Sequence, residues 1–417
     1  MSSSQHSIRC ATQLTRPLTL LLAMTCALAV ASVYFAQPLL ESMAQSFAVP
    51  TERVGLVVGA TQAGYALGLL LVVPLGDLFD RKRLILCQLL CSALALLAVG
   101  LAWQWAFLLA AMAALGLMAV VVQVVVAHAA TLATPAEQGQ AVGTVTSGVV
   151  LGILLARLVS GGVADLAGWR SVYLGAAGLS SLMALMLWWA LPSARQVGAS
   201  GSYLRLLSSV FALYRHDRLL RQRGMFALLI FAAFSVLWSA MVLPLSAAPL
   251  ALSQGQIGLF GLAGIAGALA ASRAGRLADQ GHGQRSTGLA LVVLSLSWIA
   301  SAFVEQSLLA LVVGVLMLDF AVQAVHVTNQ TLLLAGRGDM ASRLIGAYMC
   351  CYSVGSGLGA VAASWVYARW GWGAVCGLGA GVSVTALAYW LYLWRVHHTC
   401  RRCAAARLQG QAVDQNL

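Results

Sequence analysis

Residues 76–83 read GDLFDRKR and residues 275–285 read GRLADQGHGQR. Each string follows an apolar run, opens on a glycine, places an aspartate four residues later (Asp80, Asp279) and closes on an arginine. Gly76 and Gly275 stand 199 positions apart, so the chain reads as one unit of about two hundred residues written twice. The likeness extends outward from the two strings. VVQVVVAHAATL at 121–132 and AVQAVHVTNQTL at 321–332 pair Gln123 with Gln323 and Thr131 with Thr331, while Gly152, Gly168 and Trp169 fall opposite Gly355, Gly371 and Trp372. A duplicated apolar unit of this size is the sequence mark of a membrane transporter.

Composition agrees. With 61% hydrophobic and 9% charged residues and a mean hydropathy of +0.88, the chain excludes a soluble domain, whose surface must meet water. Twelve apolar runs of spanning length can be marked, the first at about 18–40 and the last at about 373–394. The expected fold is all-α and integral to the membrane: twelve transmembrane helices in two six-helix bundles related by a pseudo-two-fold axis. The expected segments are an N-terminal tail (1–17), a first bundle (18–191), a linker (192–223), a second bundle (224–395) and a C-terminal tail (396–417).

The formal charge of +12 invites a nucleic-acid reading until its distribution is examined. Twenty of the 24 Lys and Arg residues fall in the tails, the linker and alternate loops, all on one side of the membrane. Loops rich in Lys and Arg stay in the cytoplasm, so both termini are expected there, with the lipid bilayer rather than nucleic acid as partner. Within the linker, Leu204, Leu207, Val210 and Leu213 recur at helical spacing beside Arg205, Arg215, Arg218 and Arg221, the pattern of a basic amphipathic helix on the membrane surface. The nine cysteines form no disulfide framework, and the Cys400/Cys403 pair reads as a reduced tail more readily than as a metal site.

These residues resemble the major facilitator superfamily, particularly its drug:proton antiporter-like bacterial branch. That family's loop between spans 2 and 3 runs Gly-x-x-x-Asp-Arg-x-Gly-Arg-Arg. Gly76, Asp80 and Arg81 match it; the second copy keeps Gly275 and Asp279 but carries Gln280 in place of the arginine. The resemblance implies that this loop latches the cytoplasmic ends together in the outward-facing state. It also implies a conformational role for Gly148 and Gly152 in span 5, although the proline of the branch's span 5 motif is absent and Arg157 lies nearby. A bacterial inner-membrane location follows from the same likeness.

Charges inside spans are the sharpest local signal, since each costs a few kcal/mol or more at the bilayer centre unless it faces a cavity or a partner. Two stand out, Arg157 in LGILLARLVSGG and Asp319 in VLMLDFAVQAVHVTNQ, and both break the repeat: their counterparts are Ala360 and Ala119. Asp319, Gln323, His326 and Gln330 share one stripe of a helix, with Asn329 beside it. The resemblance places spans 1, 4, 7 and 10 around a central cavity. That sets Gln123 across from this stripe, adds Tyr34 and Gln37 from span 1, where Pro38 should bend the helix, and adds Trp238 from span 7.

Proton coupling is assigned to Asp319, Arg157 and His326, with a cationic substrate or Arg157 competing for the Asp319 carboxylate. A rival reading makes Asp319 and Arg157 a structural pair. No Gly-x-x-x-x-Gly-Lys-Ser/Thr phosphate loop is present, so the expected energy source is a proton gradient, with no cofactor. No paired carboxylates or His-Glu-x-x-His motif suggests an enzyme. The leading expectation is a monomeric, proton-coupled exporter of small amphipathic or cationic compounds. Transport of a sugar, amino acid or carboxylate is the alternative, and a non-transporting sensor a distant one.

Overall fold

The computed structural model describes residues 15–134, 137–192, 203–337 and 340–414; the start of the N-terminal tail and the Gly/Ser-rich part of the linker lie outside these, as do the Cys400 and Cys403 side chains. The described residues form helices and no strand. Ten helical runs are long and apolar enough to cross a bilayer. The last, Arg343–Val396, holds two crossings divided at Gly371, whose φ of 72° and ψ of −169° are open to glycine because it lacks a Cβ. The 19-residue helix α14 (Gly283–Ser301) supplies a further crossing, which brings the described residues to twelve.

Span 1 is α1 (Arg16–Tyr34) and α2 (Ala36–Ser46), span 2 is α3 (Leu56–Leu71), and span 3 is α4 (Arg81–Gly100). Span 4 combines α5 (Trp105–Ala119) and α6 (Val121–Leu132); α7 (Gln138–Ala167) and α8 (Trp169–Ala190) complete the first half. After α9 (Tyr203–His216) in the linker, span 7 is α10 (Arg218–Ala240) with α11 (Val242–Ser246). Span 8 contains α12 (Gln254–Leu259) and α13 (Gly264–Asp279); α14, α15 (Leu308–Leu334) and α16 (Ala341–Asp414), which holds spans 11 and 12, follow.

The breaks in spans 1 and 7 have one cause. Proline lacks an N–H and its ring meets the carbonyl four residues back. Pro38 stands four residues after Tyr34, where α1 ends, and Pro244 four after Ala240, where α10 ends. Both halves therefore bend the helix that leads into them, at equivalent depths.

The halves pack alike. α1 lies on α7 as α10 lies on span 11, and α3 on α5 as α13 on α15. Lipid gives no hydrophobic push between helices, so close approach of backbones has to hold them. A Cβ added to Gly148 or Gly152 of α7 would overlap the backbone of Ala23 or Ala27 in α1, and one on Gly355 or Gly359 the backbone of Leu228 or Ala232 in α10.

The two halves meet most closely at the face opposite the 76–83 and 275–285 loops. There Asp165, near the end of α7, accepts hydrogen bonds from Ser253 Oγ (2.6 Å) and the Gly255 N–H (2.9 Å) at the start of span 8. Gln254 bonds Ser42, Gly55 N–H donates to Ser364 Oγ (3.1 Å), and Arg369 pairs with Glu52 at 3.4 Å. Towards the loop face, α6 packs on α1, α4 and α7 of its own half and α13 on α14 and α15 of the other. The halves are thus joined by polar contacts at the far face, and α3 also stays packed on span 11 towards the loop face, where Leu69 and Leu70 meet Cys350 and Met349.

Because the atoms facing Gly152 are backbone, they have little room to retreat. Gly152→Val is expected to lower the stability of the purified protein by about 1–3 kcal/mol, read as a drop in its thermal midpoint in detergent, while Val149→Ala on the same helix should shift it far less.

Candidate functional site: a shared indole between two buried charges

Arg157 lies ten residues from the far-face end of α7, and Asp319 eleven residues from that end of α15. Both are roughly 15 Å inside by helical rise, near the middle of a hydrocarbon layer about 30 Å thick. Arg157 is 1% exposed and Asp319 4%. The structure brings both against one residue, Trp238, Arg157 over its ring face and Asp319 at its N–H edge.

The Trp238 indole N–H donates to Asp319 Oδ1 at 3.0 Å, and the guanidinium carbon of Arg157 stands 3.6 Å from the centroid of the same ring system. Tyr34 and Phe234 present further ring faces to the cation at 5.2 and 5.5 Å. Arg157 Nε donates to Gln37 Oε1 at 2.5 Å. A desolvated cation over an aromatic face gains about 2 kcal/mol or more, which offsets part of the cost of holding it at this depth. The stem of Arg157 reaches its place along Gly261, where an added Cβ would come within 3.0 Å of the arginine Cβ.

The two charges do not form a direct ion pair. Arg157 Nη1 and Nη2 are buried and have no hydrogen-bond partner, and the ion pairs among the described residues do not include Asp319. Arg157, Tyr34 and Gln37 belong to the first half; Trp238, Phe234 and Asp319 belong to the second. The indole contact therefore crosses between halves, as does the Tyr34–Tyr352 hydroxyl pair at 2.7 Å.

A second layer lies towards the loop face. Tyr352 meets Phe231 edge-on at 4.1 Å between ring centroids, and Phe231 meets His326 at 5.1 Å. His326 Nδ1 and the Tyr348 hydroxyl are 3.0 Å apart; Asn329 Nδ2 donates to the same hydroxyl at 3.5 Å and its Oδ1 accepts from Arg223 Nη1 at 3.2 Å. Gln323 and Gln330 are half-buried on the stripe, Gln323 against Gly267, and Gln123 on α6 is half-buried beside Tyr65.

Of the residues selected from sequence, Tyr34, Gln37, Arg157, Trp238 and Asp319 assemble into one cluster; His326 and Asn329 belong to the second layer. Tyr65, Tyr348, Tyr352, Phe231 and Arg223 were not anticipated. Tyr348 and Tyr352 stand four apart on span 11, a helical spacing that would have put them on one face.

The loop residues sit apart from this cluster. Asp80 caps α4, accepting from Arg83 N–H at 3.2 Å, and Arg81 donates to the carbonyls of Gly76 (3.2 Å) and Ala127 (3.1 Å). Asp279 instead ends α13, exposed, and Gly275 faces Val327 of α15. Gly148 and Gly152 bind α7 to α1 within one half.

The family model of the Major Facilitator Superfamily matches residues 20–335. The chain belongs to that superfamily. It is 43% identical over 386 residues to the uncharacterized transporter YgaY of Escherichia coli O157:H7, covering 93% of this chain and 97% of that protein. It is 27% identical over 249 residues to the inner membrane transport protein YnfM of Escherichia coli K12, covering 59% of this chain and 60% of that one. The fold matches a crystal structure of a bacterial homologue of the human lysosomal transporter Spinster, inward-facing and occupied, with a TM-score of 0.73 at 15% identity over 91% of this chain and 96% of that one. The molecule is accordingly a multi-pass membrane transporter of small molecules.

Trp238→Phe keeps a ring beneath Arg157 but removes the N–H from Asp319. Between membrane helices such a bond contributes about 0.6–1.7 kcal/mol, and a loss of that size is expected in thermal unfolding. In a double-mutant cycle with Asp319→Asn the two losses should fail to add, because both break the same bond.

Proposed function

We propose that this transporter exports small amphipathic or cationic compounds in exchange for protons, with Asp319 as the group that carries the proton. One observation supports the reading above the others: Asp319 is buried at mid-depth, touches Arg157 only through the Trp238 indole, and so keeps one carboxylate oxygen uncommitted by an ion pair. A proton and a cationic substrate would compete for that carboxylate. Binding of the proton would also weaken the attraction that draws Arg157 of one half towards Asp319 of the other. Coulomb attraction is strong where water is scarce, so its loss would release the halves to rock.

On this reading Tyr34, Gln37, Gln123, Trp238, Gln323, Asn329 and Gln330 form the substrate surface, and His326 with Tyr348 supplies a polar relay towards the loop face. On the same reading the loop face, by its excess of Lys and Arg, is the cytoplasmic one, and it opens and closes in turn with the far face. Gly76, Asp80 and Arg81, with Gly275 and Asp279, then act when the cytoplasmic ends close. The proton gradient across a bacterial inner membrane is the energy source and the monomer is the working unit; YnfM, a relative, is itself named an inner membrane protein.

One observation favours a second reading. The two free Nη groups of Arg157 would welcome a carboxylate, so an amphipathic or metabolite anion is the rival cargo.

Flux into proteoliposomes under an imposed pH gradient tests both. Asp319→Asn is expected to abolish proton-driven movement of cationic dyes while leaving a folded protein; proton-driven transport that survives this change removes the coupling role. Wild-type flux of carboxylates or sugars without flux of cationic dyes would replace the cargo class.

A further inference from the structure

A cavity outside the cluster around Trp238 lies at the loop face between the linker helix α9, the start of α10 and the end of α15. Its volume is about 1010 Å³. Arg218, Arg223 and Arg337 line it, with one acid, Asp217. That acid is already engaged. Asp217 Oδ1 caps α10 by accepting from the Leu220 N–H at 3.0 Å, and its Oδ2 meets Arg337 Nη1 at 2.5 Å. Arg218 and Arg223 therefore line the cavity without a further carboxylate from its wall to balance them.

Arg223 is the unusual member. It is 3% exposed, one N–H is held by Asn329, and its Nε is buried with no hydrogen-bond partner. A buried guanidinium with an unused donor, beside a second arginine at the rim, is suited to a doubly charged tetrahedral anion. Leu213 and Leu332 give the same cavity an apolar wall, and Phe211 of α9, 57% exposed, stands on the neighbouring surface. The place is the depth at which a bilayer presents its headgroups.

We propose that this cavity is an anion site for a phosphate group, held between Arg218 and Arg223 and linked to the Asn329 layer only through Arg223. A phosphate there would tie α9 to the second half, since its two arginines stand on α10 while α9 forms the opposite wall. The linker would thereby respond to anionic lipid or to soluble phosphate.

The test uses the full-length protein purified in detergent, titrated separately with inorganic phosphate, with dioctanoyl phosphatidate and with dioctanoyl phosphatidylcholine, and followed by its thermal midpoint. At least one of the first two should raise the midpoint, and phosphatidylcholine should not. Arg218→Gln, a change at an exposed position that should fold normally, is expected to weaken that response about tenfold in concentration, the effect of losing one charge-assisted hydrogen bond; Arg223→Gln should weaken it further if it folds. A response to phosphatidate alone assigns the site to lipid headgroups, and a response to inorganic phosphate alone assigns it to a soluble anion. No response to either probe, or the same response in Arg218→Gln as in the wild type, overturns the proposal.

Discussion

A guanidinium at the depth of Arg157 has no water to dissolve in, and the surroundings of this side chain follow from that constraint. It cannot be surrendered to lipid, where its cost runs to several kcal/mol. It is held by the faces of three aromatic rings and one amide oxygen, with an acid one residue away. Those partners come from spans 1, 7 and 10, so satisfying one charge draws together helices from both halves. The glycine at 261 on span 8 is part of the same accommodation, because the arginine stem needs the space a side chain would fill.

The repeat supplies the frame in which this happens. Equivalent helix pairs pack backbone to backbone in both halves, and Pro38 and Pro244 bend spans 1 and 7 at matching positions. Each bend lies beside the charged cluster: Gln37 is the residue before Pro38, and Trp238 lies two residues before the end of α10. A symmetric scaffold thus brings two bent helices to the midplane, and the asymmetric charges, Arg157 in one half and Asp319 in the other, give that meeting point its polarity.

Much of this was legible in the chain because lipid imposes a simple rule on sequence. Apolar runs of spanning length gave the twelve crossings and the repeat gave the two bundles, while charge inside a run marked Arg157 and Asp319. What periodicity could not supply was which residues meet across helices. The stripe on α15 was read as one surface, yet Asp319 turns to Trp238 while His326 and Asn329 turn to Tyr348. Arg223 escaped notice for a related reason. It was counted among loop cations, but α10 begins at Arg218, more than a turn earlier, and carries Arg223 into the bundle.

The two Gly-x-x-x-Asp strings show how far a repeat can diverge while keeping its letters. After the first, a helix starts at once, so Asp80 sits where four unpaired N–H groups need an acceptor and caps α4. In the second, α13 continues through Asp279, and the chain turns at Gly281 with φ of 81° before α14 begins. A carboxylate at a helix C-terminus faces the negative end of the dipole and has no cap to make. The capping task across the halves falls instead to Asp165, which binds Ser253 and the Gly255 N–H at the start of span 8 on the opposite face. The same chemistry, a carboxylate on the first turn of a helix, therefore fastens one half internally at the loop face and fastens the two halves to each other at the far face. Opening the far face has to break the Asp165 contact, whereas the Asp80 cap can persist through it because both of its partners move together.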